Sequence, residues 1–314
     1  MGLTKPSPRF SHLLGLGIRP LPKGEGCVVV LGTFDGVHLG HQRIIKDAVS
    51  FAKRHGLKSV ITTFDPHPQQ YLVPKRGLKL LTTLDERKKI FKSLGADKIK
   101  VFKFNKRFCK LSGEEFIVKY IVRGLKASFV FVGYDYVFGH NRGENVNKLR
   151  KLGKKYGFVV KMVKPLCADS VPVKSSTIRD FINKGKFNKA VRFLGRPYTL
   201  SGKVVAGVGR GKELGFPTAN LLMDPYKLLP VYGVYAGIVN KRKCLVNIGL
   251  RPTFKHDQVS VEVFIPHFHG NLYGKHLEVY LYKRLRNEIK FPDAEELKGQ
   301  IKKDVRRLLT ETYK

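Results

Sequence analysis

Residues 27–41 read C-V-V-V-L-G-T-F-D-G-V-H-L-G-H, an apolar run that passes through glycine into the helical spacing of His41 to Arg54. A run that is apolar at every position, without polar alternation, predicts a strand buried on both faces and hence a parallel sheet covered by helices. The turn that follows starts a helix, whose first N–H groups and positive dipole end suit a phosphate. Gly36 and Gly40 remove side chains where a phosphate chain would lie, and His38 and His41 stand about one turn apart on the helix start, where they can donate to phosphate oxygens. No G-K-[ST] follows, so this is not a Walker A loop, and no G-x-G-x-x-G occurs, so it is not the dinucleotide fingerprint. Asp35 in the turn either caps the helix or faces a nucleotide.

Working outward, the alternation of strand and helix continues. Ser59 to Phe64 is β-rich and stops at Asp65-Pro66-His67-Pro68, where His67 is either structural or chemical. Asp85 to Leu94 reads as a helix, Lys98 to Phe104 as a strand, and Ser112 with Glu115 as a capping box before Phe116 to Val122. Phe129 to Gly133, Val146 to Tyr156 and Phe158 to Val163 read as strand, helix and strand. Ligands in such sheets bind beyond the carboxyl ends of the strands. After residue 180 the texture changes. Phe181 to Leu194 reads as one connecting helix and Gly195-Arg196-Pro197 as a hinge. Short β-rich pieces follow at Tyr198 to Val205, Gly233 to Val239, Lys243 to Ile248, Val259 to Ile265 and Leu277 to Tyr282, and a helix over Ala294 to Leu309 closes the chain. That spacing predicts an antiparallel barrel or sandwich. The fold class is therefore a Rossmann-like α/β domain over residues 1–190 followed by an antiparallel β domain over 191–314.

Composition narrows the function. With 314 residues and 42% apolar content the chain can bury two cores. No apolar run is long enough to span a membrane, and the first 25 residues hold no hydrophobic h-region, so no signal peptide is expected. Cys27, Cys109, Cys167 and Cys244 form no C-x-x-C pair and suit reduced thiols in a cytoplasm. The net charge of +36 suggests polyanionic partners, nucleic acid first, but the basic residues are spread along the whole chain. A solvated basic surface is the preferred reading, with nonspecific nucleic-acid attraction as a by-product. The sequence does not specify an oligomeric state.

A second constellation lies at residues 202–221, G-K-V-V-A-G-V-G-R-G-K-E-L-G-F-P-T-A-N-L. Its glycines, Gly207 and Gly209 among them, let a loop close on an anion through backbone N–H groups, and Lys212 adds a point charge. Thr218 and Asn220 lie two residues apart, so on an extended segment they share a face and can ligate a hard cation such as Mg²⁺. In Val259 to Ile265 the valines and isoleucine share one face, and Ser260, Glu262 and Phe264 the other. A lone strand glutamate is ordinarily a solvent-facing one. His267 and His269 form a short H-x-H pair that reads as an exposed hairpin rather than a metal site.

These strings carry a family likeness. The first segment resembles the H-x-G-H nucleotidyltransferases, and F-D-G-V-H-L-G-H-Q is similar to bacterial FAD synthetases. The likeness continues at Thr63 to Pro68, at Val132 to Gly139 and at Ser175-Ser176-Thr177-Ile178-Arg179. It implies that Gly32, Phe34, Asp35, Gly40, Asp135, Ser175, Ser176 and Arg179 bind ATP, and that His38 and His41 stabilise charge as an FMN phosphate oxygen attacks the α-phosphorus, with Mg²⁺ assisting. The family usually has S-S-T-x-I-R where this chain has Lys174 and Ser176 at the first and third positions. It usually has G-D where this chain has Glu144 and Asn145. The second constellation resembles the riboflavin kinases through Pro217 to Asn220, Gly233-Val234-Tyr235, Asn247 to Phe254, Leu272 to Lys275 and Leu285 to Phe291. That likeness implies Glu262 as general base, Gly207, Gly209, Lys212, Thr218 and Asn220 on ATP and its Mg²⁺, and Arg286 and Phe291 bordering the flavin. The expected enzyme phosphorylates riboflavin to FMN and adenylylates FMN to FAD. The rivals are a monofunctional flavokinase that keeps the first domain only as a fold, and a basic RNA-associated protein.

Overall fold

The computed structural model describes residues 26–207, 210–251 and 258–311. The sequence readings at residues 1–25, at Gly209 and at Pro252, Thr253 and Phe254 lie outside them. The chain forms two units, one holding the residues through Leu78 with Arg87–Val173, the other holding Lys79–Glu86 with the residues from Lys174 on.

In the first unit β1 (Cys27–Val30), β2 (Lys58–Asp65), β3 (Lys98–Lys103), β4 (Ala127–Gly133) and β5 (Val159–Val163) make one sheet in the order β3-β2-β1-β4-β5. Every neighbouring pair is parallel. The unbroken apolar character of β1 has its cause in two cores. Cys27, Val29 and Leu31 pack with Ile117, Ile121 and Leu149 on one face. Val28 and Val30 meet α1 (Leu39–His55) on the other. Helix α1 buries Ile44, Ile45, Ala48, Val49 and Ala52 along one stripe and stops at Gly56, whose φ of 67° is left-handed. The helix α2 (Leu84–Ser93, from Arg87 on in this unit) and α3 (Val146–Tyr156) complete the alternation. The capping box of Ser112 and Glu115 is formed. The chain leaves β1 toward β2 and β3 on one side, then returns to β4 and β5 on the other. The carboxyl ends of β1 and β4 therefore flank the point where strand order reverses, which is where ligands bind in open α/β sheets.

The second unit contains α4 (Ser175–Asn183) and α5 (Phe187–Leu194), where the sequence predicted a single helix from Phe181. Gly185 adopts φ 70°, a left-handed conformation that no helix continues through, so the segment breaks there. Residue 190 falls within α5. The choice between barrel and sandwich resolves as a closed barrel, β6 (Tyr198–Val205), β7 (Thr218–Met223), β8 (Gly233–Val239), β9 (Arg242–Arg251), β10 (Gln258–Phe264) and β11 (His276–Arg286), in the order β6-β7-β10-β9-β8-β11. All its pairs are antiparallel, and β6 closes on β11. The terminal helix α6 (Ala294–Thr310) lays Leu308 on an outer patch of Val234, Ala236 and Leu245, and Lys243 binds the carbonyls of Leu308, Leu309 and Glu311 at its end.

Lys79–Glu86 is stitched into this second unit. Leu80 N–H donates to the Tyr226 carbonyl at 2.7 Å, and Leu228 N–H donates to the Leu80 carbonyl at 2.8 Å. The Lys227 ammonium donates to Glu86 Oε2 at 2.6 Å and to the Leu81 carbonyl at 2.7 Å, and lies 4.3 Å from the Tyr198 ring centroid. Among the described residues no helix is long and apolar enough to cross a membrane.

Candidate active sites

In the first unit the turn after β1 is strained and pinned. Phe34, Gly36 and Val37 all take positive φ, at 54°, 79° and 36°. For the two non-glycines this is an uncommon backbone that persists only where the surroundings enforce it. They do: Phe34 and Val37 are buried, and the Phe34 ring covers Gly32 so closely that a Cβ there would sit 2.6 Å from it. From below, Thr63 Oγ1 donates to the Thr33 carbonyl at 2.7 Å and Arg87 Nη1 donates to the same oxygen at 2.9 Å. Arg87 also reaches Thr63 Oγ1 at 2.9 Å and is 1% exposed, a buried cation that serves the backbone of this turn.

The histidines follow from that turn. His38, not Asp35, is the N-cap of α1: its Nδ1 accepts from the His41 N–H at 3.4 Å. A ring nitrogen that accepts carries no hydrogen, so in the neutral ring the hydrogen sits on Nε2. The His41 ring stacks on His38 at 3.6 Å and meets the edge of Phe34 at 5.1 Å. A Cβ on Gly40 would lie 3.3 Å from the His38 ring, so the glycine lets the imidazole lie flat on the helix start. Gly32, Phe34, Asp35, His38, Gly40 and His41 are thus gathered at the carboxyl end of β1, with Asp35 buried. Asp135 lies just past β4, exposed, its carboxylate close above Gly133. Ser175, Ser176 and Arg179 belong to the second unit, on the first turns of α4, where Arg179 Nε donates to the Lys79 carbonyl at 3.1 Å. His67 caps the short helix Pro68–Leu72 by accepting from Gln69 N–H at 3.2 Å.

Where the family usually has G-D, both residues of this chain have local work. Glu144 accepts from the Gly113 N–H at 3.0 Å. Asn145 caps α3 by accepting from Asn147 and Lys148 N–H groups at 3.0 and 3.2 Å, a position where Asn serves as well as Asp.

In the barrel, register assembles the second site. Asn220 on β7 is opposite Glu262 on β10, which is opposite Asn247 on β9. Side chains directly across neighbouring strands share a face, so the three make one polar row. Val261 and Val263 point into the barrel at 1% exposure each, so Glu262, on the face opposite the valines as the alternation predicted, lies on the outside. Thr218 Oγ1 donates to Glu262 Oε2 at 3.3 Å. The glycine loop closes on the same residues: a Cβ at Gly207 would overlap the Asn220 amide, and one at Gly211 would lie 3.3 Å from Thr218 Oγ1. Lys212 is placed by its backbone in the short helix Arg210–Glu213. Hydroxyl, amide and carboxylate oxygens form a hard donor set with few protein ligands, which fits Mg²⁺ held jointly with phosphate and water. Arg286 and Phe291 are neighbours, the guanidinium carbon 6.0 Å from the ring centroid.

Sequence reasoning assigned no role to Asn247, Arg87 or Asp304. Asn247 had a signal, since it alternates with the buried Val246 and Ile248. Asp304 had one too, four residues before the buried Leu308 and on its side of α6.

Comparison with known proteins matches each half of the chain to a family. The FAD synthetase family profile matches residues 21–177, and the riboflavin kinase profile matches residues 194–311. A bifunctional riboflavin kinase/FMN adenylyltransferase of Listeria monocytogenes is 40% identical over 88% of this chain and 90% of its own. Its namesake in Escherichia coli K12 is 34% identical over 89% and 91%. A solved structure described as a macrolide-efflux protein from Streptococcus pneumoniae superposes with a TM-score of 0.82 at 29% identity, covering 93% of this chain and 96% of that one. With both domain profiles in order and relatives matched along nine-tenths of its length, the chain belongs to the bifunctional riboflavin kinase/FMN adenylyltransferase family.

Proposed function

We propose that this chain phosphorylates riboflavin to FMN in its barrel, residues 191–314, and adenylylates FMN to FAD through the nucleotide site of residues 1–190, using ATP in both steps. The observation that carries the first half is the row Asn220, Glu262, Asn247 with Thr218 Oγ1 3.3 Å from Glu262 Oε2. The hydrogen bond from the threonine hydroxyl holds this carboxylate in place and aims it. The carboxylate would take the proton from the ribityl 5′-hydroxyl as that oxygen attacks the γ-phosphorus of ATP, the bond to the β–γ bridging oxygen breaks and ADP leaves. The backbone of the glycine loop and Lys212 would hold the phosphates, while Thr218 and Asn220 would hold Mg²⁺, which neutralises developing negative charge when bound.

For the second half, the pinned turn of residues 31–38 supports positioning without a covalent nucleophile. His38 and His41 would donate to the phosphates while an FMN phosphate oxygen displaces diphosphate from the α-phosphorus. Free thiols at all four cysteines suit a reducing compartment, and the cytoplasm is the proposed place of work. The decisive experiment is incubation with riboflavin, ATP and Mg²⁺ followed by chromatographic separation of FMN from FAD. Both products are expected. FMN alone would leave a monofunctional flavokinase, and neither product would overturn the reading.

A further inference from the structure

Arg286 is not a loose cation beside the kinase site. Its Nε donates to Asp304 at 3.2 Å from Oδ1 and 2.9 Å from Oδ2, and its Nη2 lies 2.8 Å from Oδ2. Its Nη1 donates to the Asn287 carbonyl at 3.0 Å. Asp304 Oδ1 accepts once more, from Gln300 Nε2 at 2.9 Å, and the Asp304 side chain is 6% exposed against 17% for Arg286. All three guanidinium nitrogens are engaged along the rim of the group. What a guanidinium held by its rim presents is a flat cationic face, the surface on which a fused aromatic ring stacks. Phe291 stands beside it.

We propose that Asp304 is a positioning residue for riboflavin phosphorylation: acting through Arg286, it fixes the wall on which the flavin ring stacks and so sets riboflavin affinity rather than turnover. This rests on the reading of Arg286 and Phe291 as bordering the flavin. Attachment of α6 does not account for the aspartate. The helix is already held by the buried Leu308, by Arg307 Nη1 donating to the Leu285 carbonyl at 2.9 Å, and by Lys243 at its last carbonyls. A buried carboxylate costs desolvation, and here that cost is offset by a bidentate arginine whose orientation it dictates.

The test is Asp304→Asn, which keeps the shape and removes the charge. Riboflavin Kd, read by quenching of flavin fluorescence, and riboflavin KM are both expected to rise about tenfold, with kcat and the KM for ATP unchanged. Asp304→Glu is the second variant. It keeps the charge but shifts the carboxylate by one methylene, so it should fold and raise riboflavin Kd several-fold. Wild-type riboflavin Kd in whichever of these variants folds, with a raised Kd in Arg286→Ala, overturns the proposal and leaves the flavin wall standing. Wild-type Kd in Arg286→Ala as well overturns the flavin-bordering reading beneath it.

Discussion

Lys227 and Glu86 form a fully buried ion pair, Nζ to Oε2 at 2.6 Å with side chains 0% and 1% exposed. The carboxylate is satisfied on both oxygens: Ser201 Oγ donates to Oε1 at 2.8 Å, and the Thr83 N–H donates to Oε2 at 3.0 Å. Glu86→Gln removes the counter-charge and leaves a buried ammonium. It should destabilise the chain by about 3–5 kcal/mol, measured by denaturant unfolding. The double variant Glu86→Leu, Lys227→Met removes both charges together and should recover most of that loss. Equal stability of Glu86→Gln and the parent would mean that the pair contributes nothing.

Glu262→Gln should lower FMN formation by about 10²- to 10⁴-fold, the usual worth of general-base assistance. Thr218 Oγ1 can still donate to the amide oxygen, so riboflavin binding should stay near wild type. FAD formation from added FMN should persist. Near wild-type FMN production by the folded variant would sink the assignment of the base.

His38→Ala and His41→Ala should each reduce FAD formation on the order of 10²-fold, the cost of one lost hydrogen bond to transition-state charge, and spare FMN formation. His38→Ala also deletes the cap of α1, so its Tm should fall further than that of His41→Ala. Equal loss of both activities would point to unfolding rather than to the nucleotide site.

Gly207→Ala should weaken FMN formation while leaving FAD formation from FMN unaltered. The added methyl overlaps the Asn220 amide, which must swing away from its place opposite Glu262. Unchanged FMN formation would mean that the loop and Asn220 move freely past one another.

Thiol chemistry should divide the cysteines. Burial pushes Cys27 up to about 11 and Cys244 up to about 12, from the ordinary 9.0, whereas Cys167 is exposed and Cys109 half-buried. At neutral pH a disulfide reagent should label Cys109 and Cys167 in the native chain and all four after denaturation. The raised folded values also set a sign. Their stabilising contribution is complete below the ordinary thiol value and is lost as pH rises toward about 11 and 12. Stability should therefore decline with alkalinity.

Much of this was legible in the sequence because its causes are local. Cys27 to Leu31 is apolar at every step because both faces of β1 are buried, and that pattern needs no partner to be read. That Glu262 faces away from its valine neighbours could be read from their alternation alone. Other features lie in pairings between distant residues and leave no periodic mark. The sequence of Thr218–Met223 shows a ligand-bearing extended segment and no more, since its identity as a barrel strand depends on pairing with β6 and β10. The break at Gly185 was hidden in a segment whose apolar spacing continues across it. Asn247 joins Glu262 only through register, and Arg87 reaches Thr33 across 54 positions. Nothing near Glu86 announces that its counter-ion is Lys227.

The distance between those two residues along the chain also orders events on the ribosome. Glu86 is made 141 positions before Lys227. At cellular elongation speeds that interval is roughly 7–28 seconds. Throughout it Lys227 has not yet been made and the carboxylate stays hydrated, while β1, β2 and β4 can already pair with one another. Lys79–Glu86 is thus synthesised early and seated late, a stretch of nascent chain that waits for the barrel strands before it can leave water.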